Sequence, residues 1–462
     1  MPSPARLLLW LLLLCSTAVV YAAQDSLPSV TRSRLTGHTP AETAHTPDPR
    51  SLRPSPLAGK HDVCIAITGG AGQIAYALIP LILHGRVFGE GRKVRLRLLD
   101  IEACAGALAG VAMEIQDCYS DLVTEVVTTS DPEVAFEGAD VAVLLGGFPR
   151  LPGMDRRDLI ARNVPIMVEH GKALAKCAKE EVRVLVVANP ACTNCLIASM
   201  SASSIPRCQF SSLARLDQDR LSAMLSDELR SLAVESVSEQ ASMSAAQHNR
   251  KRNPTKDRDT AIVPRDHTEV RGVYVWGNHS PSMWPDVSAA EVKIDGGWVP
   301  FERTFQKQGE ISSEAGKVSA PDLDGVTSDA DLHLRAEGWY KRTSTTIITA
   351  VRERGTKVIE ARGKSSALSA SNAIASHLKD WLSCSTVGEN RVSMGVQTDG
   401  NPYGVPGDLF FSFPVECGDG HHRILAGCCP DKAMLRASAR ELVGERQEAL
   451  DTLQEAGLYP KQ

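Results

Sequence analysis

From about position 60 the apolar residues fall into short solid runs, and between those runs their spacing switches to that of helices. Val63–Thr68, Val94–Leu99, Val123–Thr128, Val141–Leu145 and Val182–Ala188 are the runs. Helical patterns occupy Tyr76–His84, Ala103–Cys118 and Asp155–Lys179 between them. Short apolar strands alternating with longer helices predict an α/β fold with a parallel, doubly wound sheet over residues 61–214. Residues 215–462 are read as a second, α+β domain that mixes antiparallel strands with long helices. That domain ends in an amphipathic helix after Pro430.

The N-terminal pattern is different. Arg6 precedes an uncharged apolar run from Leu7 to Val20, and Tyr21-Ala22-Ala23 supplies small residues for cleavage, so residues 1–23 read as a signal peptide. The run is shorter than the roughly 20 residues of a membrane span. Residues 24–60 are mildly basic, rich in Ser, Thr, Pro and His, and without apolar period, which predicts an unstructured presequence or linker. Passage into the secretory pathway is expected, with onward transport to a complex plastid as one destination. The ER lumen or the exterior is another, and the cytosol a third if the leader is an error of gene prediction. No later segment is apolar enough to span a membrane, so the mature form is expected to be free of one.

Composition narrows the picture little. The 462 residues are 43% hydrophobic and 23% charged with a formal net charge of -5, which suits a folded globular protein and not a nucleic-acid binder. The 12 cysteines include Cys15 in the leader, leaving an odd number and a poor disulfide framework. Cys192 and Cys195 form a C-x-x-C that also places two thiols on one helical face. No metal site is expected.

The chemistry begins where the first strand breaks into Gly69-Gly70-Ala71-Gly72-Gln73-Ile74-Ala75 and then a helix. Bare backbone at a helix N-terminus lets a pyrophosphate approach the N–H groups. Asp100 ends the second strand, where a carboxylate accepts from an adenosine ribose and repels a 2′-phosphate. That pair predicts NAD as cofactor, held at Gly69, Gly72, Gln73, Ile74 and Asp100. After the fourth strand comes the loop Gly146-Gly147-Phe148-Pro149-Arg150-Leu151-Pro152-Gly153-Met154-Asp155-Arg156-Arg157-Asp158. Asn189 stands at another strand end, followed by Leu216-Asp217-Gln218-Asp219-Arg220 and, far downstream, Trp276-Gly277-Asn278-His279-Ser280.

In this order the motifs strongly resemble the malate dehydrogenases of the cytosolic-type branch, within the lactate/malate dehydrogenase superfamily. The resemblance runs from Val63 to the C-terminus through Thr68–Ala75, Pro149–Leu159, Asn189–Asn194, Arg215–Arg220, Trp276–His279 and Ser365–Ser369. Val392–Gly395, Tyr403–Pro406 and Ser412–Val415 extend it. The fold it implies is a Rossmann NAD domain followed by a C-terminal substrate domain, in a homodimer. The activity it implies is reversible hydride transfer between malate and oxaloacetate. His279 would exchange the proton at the substrate oxygen, and Asp217 would hold its other ring nitrogen. Arg220 would grip one carboxylate as a two-pronged fork, and Arg150 the distal one. Arg156 would swing in with its loop to polarise the carbonyl, and Asn189 would hydrogen-bond substrate and help hold the nicotinamide. Two carboxylates and a carbonyl gaining negative charge need two anion clamps, an electrophile and an acid, which three arginines and a His–Asp pair supply.

Several positions depart from the family pattern. Gln218-Asp219 replace the usual His-Asn, and Asp219 either competes for Arg220 or points away along the helix. Leu151 replaces a frequent arginine. Arg220 and His279 lie 59 residues apart, well beyond the family spacing, with a polar surplus near 236–267 and a second near 308–334, both expected as surface loops. Asn278-His279-Ser280 is a glycosylation sequon containing the candidate catalytic histidine. The alternatives left open are a catalytically impaired paralogue that binds NAD or serves as a structural subunit, and another 2-hydroxy acid dehydrogenase.

Overall fold

A computed structural model of the chain describes residues 57, 59–149, 153–229, 270–294, 297–301, 329–383 and 391–458, with side chains from 344 onward in the stretch that begins at 329. The expected signal peptide, nearly all of the expected linker, the surplus at 236–267, and Arg150 and Leu151 lie outside the described residues.

The predicted alternation is present. Strand β1 (Asp62–Thr68) leads to α1 (Gln73–Leu83), then β2 (Lys93–Leu99), α2 (Ala105–Asp117) and β3 (Val123–Thr129). Next come the short α3 (Pro132–Phe136), β4 (Val141–Leu144), α4 (Arg156–Cys177), β5 (Arg183–Val186), α5 (Ala191–Ser201) and β6 (Phe210–Ser212). Helix α3 gave no periodic signal because it is one turn long. Its cues are local: Asp131 accepts from the Glu133 amide and proline stands at the start.

Strands β1 to β6 pair in parallel in the order β6-β5-β4-β1-β2-β3. β1 is buried throughout except at Asp62, and β4 and β5 are buried throughout, as a sheet covered by helices on both faces requires. β1 lies between β4 and β2, so successive connections leave it in opposite directions. A crevice opens at such a switch point, outside the carboxyl ends of the strands.

The second half opens with α6 (helical residues 215–229). Five short strands follow: β7 (Val270–Arg271), β8 (Tyr274–Trp276), β9 (Trp284–Asp286), β10 (Glu291–Ile294) and β11 (Gly297–Pro300). Then come α7 (Asp329–Arg362), α8 (Leu368–Leu382), β12 (Arg391–Gln397), β13 (Phe410–Gly418), β14 (His421–Ile424) and α9 (Lys432–Glu455). The second surplus needs a correction at its end, because 329–334 are the first residues of α7 and not loop. Ala330, Leu332, Leu334, Arg335, Ala336 and Glu337 are good helix formers at its start.

The two halves share one sheet. β12 pairs antiparallel with β6 through Gly395 and Ser212, and β13 and β14 extend it to nine strands. Gly395 is required there, since a Cβ would lie 1.8 Å from Ser212 Oγ. A smaller apolar cluster joins Leu221, Leu225 and Leu229 of α6 to Val270, Val292, Ile347 and Val351. This cluster ties α6 to β7, β10 and α7, and so sets the wall of the candidate site. Among the described residues, no helix is long and apolar enough to cross a membrane.

Candidate active site

The glycine turn and the start of the candidate loop meet at the switch point. Gly69 has φ +68°, and a Cβ on it would lie 3.0 Å from Gly146 N at the end of β4. Thr68 Oγ1 accepts from the Gly146 amide at 2.8 Å, closing the crevice floor. Gly72 is the N-cap of α1 and brings no side chain to its first-turn N–H groups, so that helix end is open to an anion. Asp100 is drawn into the turn: Oδ2 accepts from Ala71 N at 3.0 Å and Oδ1 from Ile101 N at 2.9 Å. Each carboxylate oxygen retains a further acceptor site, enough for a ribose hydroxyl. The turn, the open helix end and the carboxylate fit an adenine dinucleotide without a 2′-phosphate. Gln73 and Ile74 are the first residues of α1, and Ile74 also lines the neighbouring cavity.

That cavity encloses about 190 Å³ and is lined by Asn189, Asp217, Arg220, His279 and Ser366 among others. The volume falls below the roughly 300–1,000 Å³ of drug-sized sites and suits a small acid. Asp217 and Arg220 stand one turn apart on α6, so both project to the same side. His279 comes from the segment after β8, where Gly277 turns with φ +92°. Asp217 Oδ2 meets His279 Nδ1 at 2.5 Å, and its Oδ1 accepts from Arg220 Nη1 at 3.0 Å. Arg220 Nη2 donates to Ser366 Oγ at 3.1 Å.

Electrostatics follow from this arrangement. The Asp217 carboxylate raises the His279 pKa above the ordinary 6.5, against burial and the opposing charges of Arg220 and Arg156. Burial pushes Asp217 up, yet His279 and Arg220 outweigh it and its carboxyl lies below the usual range. With Nδ1 committed to Asp217, Nε2 is the ring nitrogen left for a ligand. The dyad can hold a proton beside a cavity that also presents a cation.

Arg156 is the residue whose placement differs from expectation. It is the first residue of α4, as the helical pattern from Asp155 predicts, with Asp155 as N-cap accepting from Asp158 N at 2.7 Å. Its Nε donates to Glu445 Oε1 of α9, and Glu441 lies 3.9 Å away. It therefore stands beside the cavity and does not line it. Asn189 reaches the cavity as expected. Cys192 and Cys195 are buried on α5, and burial pushes the Cys192 thiol up to about 12, so neither is a nucleophile.

The departures resolve into packing. Asp219 points away from Arg220: its Oδ1 accepts from Arg215 Nε at 2.9 Å, and Arg215 also pairs with Asp380 at 2.5 Å. Burial raises the Asp219 pKa against the pull of Arg215. Gln218 ties α6 to the strands of its own half, donating to Val273 O at 3.0 Å and accepting from Ser393 N at 2.9 Å. The sequon is closed in the folded chain, because Asn278 is 1% exposed and its Nδ2 donates to Glu445 Oε1 at 2.8 Å.

Sequence reasoning missed Ser438, Glu441 and Glu445 of α9. Ser438 Oγ accepts from Asn278 N at 2.8 Å, and Glu441 accepts from Ser280 Oγ at 2.6 Å. The available signal was polar residues at a spacing of three and four on a helix whose buried apolar positions are Leu435, Ala439, Leu442, Ala449 and Leu453.

Comparison with known proteins agrees with this geometry. Residues 63–210 match the lactate/malate dehydrogenase NAD binding domain, and residues 328–451 match the lactate/malate dehydrogenase alpha/beta C-terminal domain. Cytoplasmic malate dehydrogenases of Felis catus and Homo sapiens are each 38% identical over 395 residues, 85% of this chain and 98% of theirs. Among solved structures, malate dehydrogenase from Naegleria fowleri is similar with TM-score 0.64 and 32% identity, covering 85% of this chain and 99% of its own. Trichomonas vaginalis lactate dehydrogenase in complex with NADH and oxamate gives TM-score 0.63 and 30% identity over 85% of this chain and 99% of its own. With the dinucleotide crevice and the His–Asp–Arg cavity on one shared sheet, the chain belongs to the lactate/malate dehydrogenase family, and NAD is its cofactor.

Proposed function

We propose that the chain interconverts (S)-malate and oxaloacetate with NAD. The observation that carries this reading is the pairing of His279 with Asp217, which also holds Arg220 at the same cavity. When bound, NAD supplies the hydride acceptor and NADH the donor. His279, kept protonated by Asp217, gives its Nε2 proton to the carbonyl oxygen during reduction and takes it back during oxidation. Arg220, oriented through Nη1 and Nη2 by Asp217 and Ser366, binds the carboxylate beside the reacting carbon. Arg156 stabilises the developing oxyanion. Arg150 recognises the distal carboxylate, and Asn189 aligns substrate against the nicotinamide. A homodimer is part of this reading by family resemblance. For the compartment, we propose that the leader over 1–23 directs the chain into the secretory pathway.

Lactate dehydrogenases lie among the similar structures, and the choice between dicarboxylate and monocarboxylate substrates falls to Arg150. NADH oxidation by residues 61–462 should be fast with oxaloacetate and slow with pyruvate. Arg150→Gln should narrow the oxaloacetate/pyruvate ratio about ten- to hundredfold, the worth of one charge-assisted hydrogen bond. An unchanged ratio would remove the specificity role. NADH binding without turnover of either acid would point to the impaired paralogue.

A further inference from the structure

We propose that Glu445 is a positioning residue that holds Arg156 and His279 in register for the reaction, a reading that rests on the role given to Arg156 above. Glu445 lies on α9 and is 4% exposed. One of its oxygens, Oε1, accepts from Arg156 Nε and from Asn278 Nδ2, the latter at 2.8 Å. The other, Oε2, accepts from the Thr193 hydroxyl on α5. A single buried atom therefore joins the residue next to the proton donor with the guanidinium beside the cavity.

Arg156 is the first residue of α4, whose N-cap is Asp155. Glu445 occupies the Nε edge of the guanidinium, while Nη2 is buried and has no hydrogen-bond partner among the described residues. One edge of the fork is thus committed to the protein and an unspent donor remains. Pulling Arg156 off its partner would leave a buried carboxylate without its cation, which is strongly unfavourable. Glutamate is the suitable residue here. A glutamine could still accept from Asn278 through its oxygen and donate to the Thr193 hydroxyl, but it would lose the charge that grips Arg156.

A double-mutant cycle tests this, using wild type, Glu445→Gln, Arg156→Gln and the double variant. The readouts are kcat for oxaloacetate reduction at saturating NADH, the NADH Kd, and the oxaloacetate Kd by calorimetry in the presence of NAD, where no reduction occurs. Glu445→Gln is expected to lower kcat about tenfold or more while the NADH Kd changes less than about twofold. In the Arg156→Gln background the same change should cost less than about threefold, because Glu445 acts through Arg156. An equal loss in both backgrounds, or no loss in either, overturns the proposal. If Glu445→Gln does not fold, Glu445→Asp enters the same cycle with the same two outcomes. If wild type binds NADH but does not reduce oxaloacetate, the reaction assigned above fails. Non-additivity in the oxaloacetate Kd would then still uphold the Glu445–Arg156 coupling, and additivity would overturn it.

Discussion

Asp217 is the residue on which most of the site depends, because its two oxygens serve two partners. It fixes the His279 tautomer through Oδ2 and restrains Arg220 through Oδ1. Its charge raises the His279 pKa, so the protonated form that carbonyl reduction needs persists to higher pH than for an ordinary histidine. In Asp217→Asn that support is gone. The pH at which kcat/KM for oxaloacetate falls should move toward acid, with a loss of about 100-fold or more in the rate. A pH–rate profile of the two proteins checks both, and an unshifted profile would remove Asp217 from the proton chemistry. Asp219 shows the opposite lesson. Its identity allowed either competition for Arg220 or a turn away along the helix, and the ion pair with Arg215 selects the second.

At the scale of elements, the C-terminal helix contributes more than the core face its sequence announces. Ser438, Glu441 and Glu445 lie along one side of α9 and take hold of Asn278, Ser280 and Arg156. The approach is close enough that Gly277 is obligatory: a Cβ there would lie 2.1 Å from Ser438 Oγ, and φ is +92°. Gly277→Ala should therefore destabilise the protein by at least about 1–3 kcal/mol from backbone strain alone. It should also lower kcat, because the turn that carries His279 is displaced. Urea unfolding and steady-state rates measure these effects; a stability change within about 0.5 kcal/mol would show that the turn carries no such strain.

For the whole molecule, acid sensitivity is built into the packing. His170 on α4 and His377 on α8 are buried, and burial lowers their pKa values to about 4 and about 3. Neither ring nitrogen of His377 has a hydrogen-bond partner among the described residues. The folded state keeps both rings neutral, whereas the unfolded chain binds protons below its ordinary histidine pKa of 6.5. Their contribution is thus intact above that pH and is lost as pH falls toward the folded values. Each adds a slope of about 1.4 kcal/mol per pH unit in that window. The denaturation midpoint should drop steadily below pH 6.5, and His377→Phe should flatten the decline. An identical slope in the variant would assign the acid response to other groups.

The sequence by itself determined the parallel sheet, because a strand buried on both faces can only be a solid apolar run, as in Val63–Thr68. It likewise marked the dinucleotide turn, since glycine positions and a strand-end acid are local requirements. His279, Asp217 and Arg220 were legible as separate motifs through their order along the chain. Only the tertiary structure decided which of these side chains meet: α6 and the β8 turn come together across an interval that no local pattern describes. It also decided that Gln218 and Asp219 serve packing, that the Asn278 sequon is closed, and that Arg156 pairs with Glu445. The physical reason is that a short apolar or glycine pattern fixes local backbone. A buried polar side chain instead takes its role from partners that arrive through long-range packing, here 289 residues along the chain for Arg156 and Glu445.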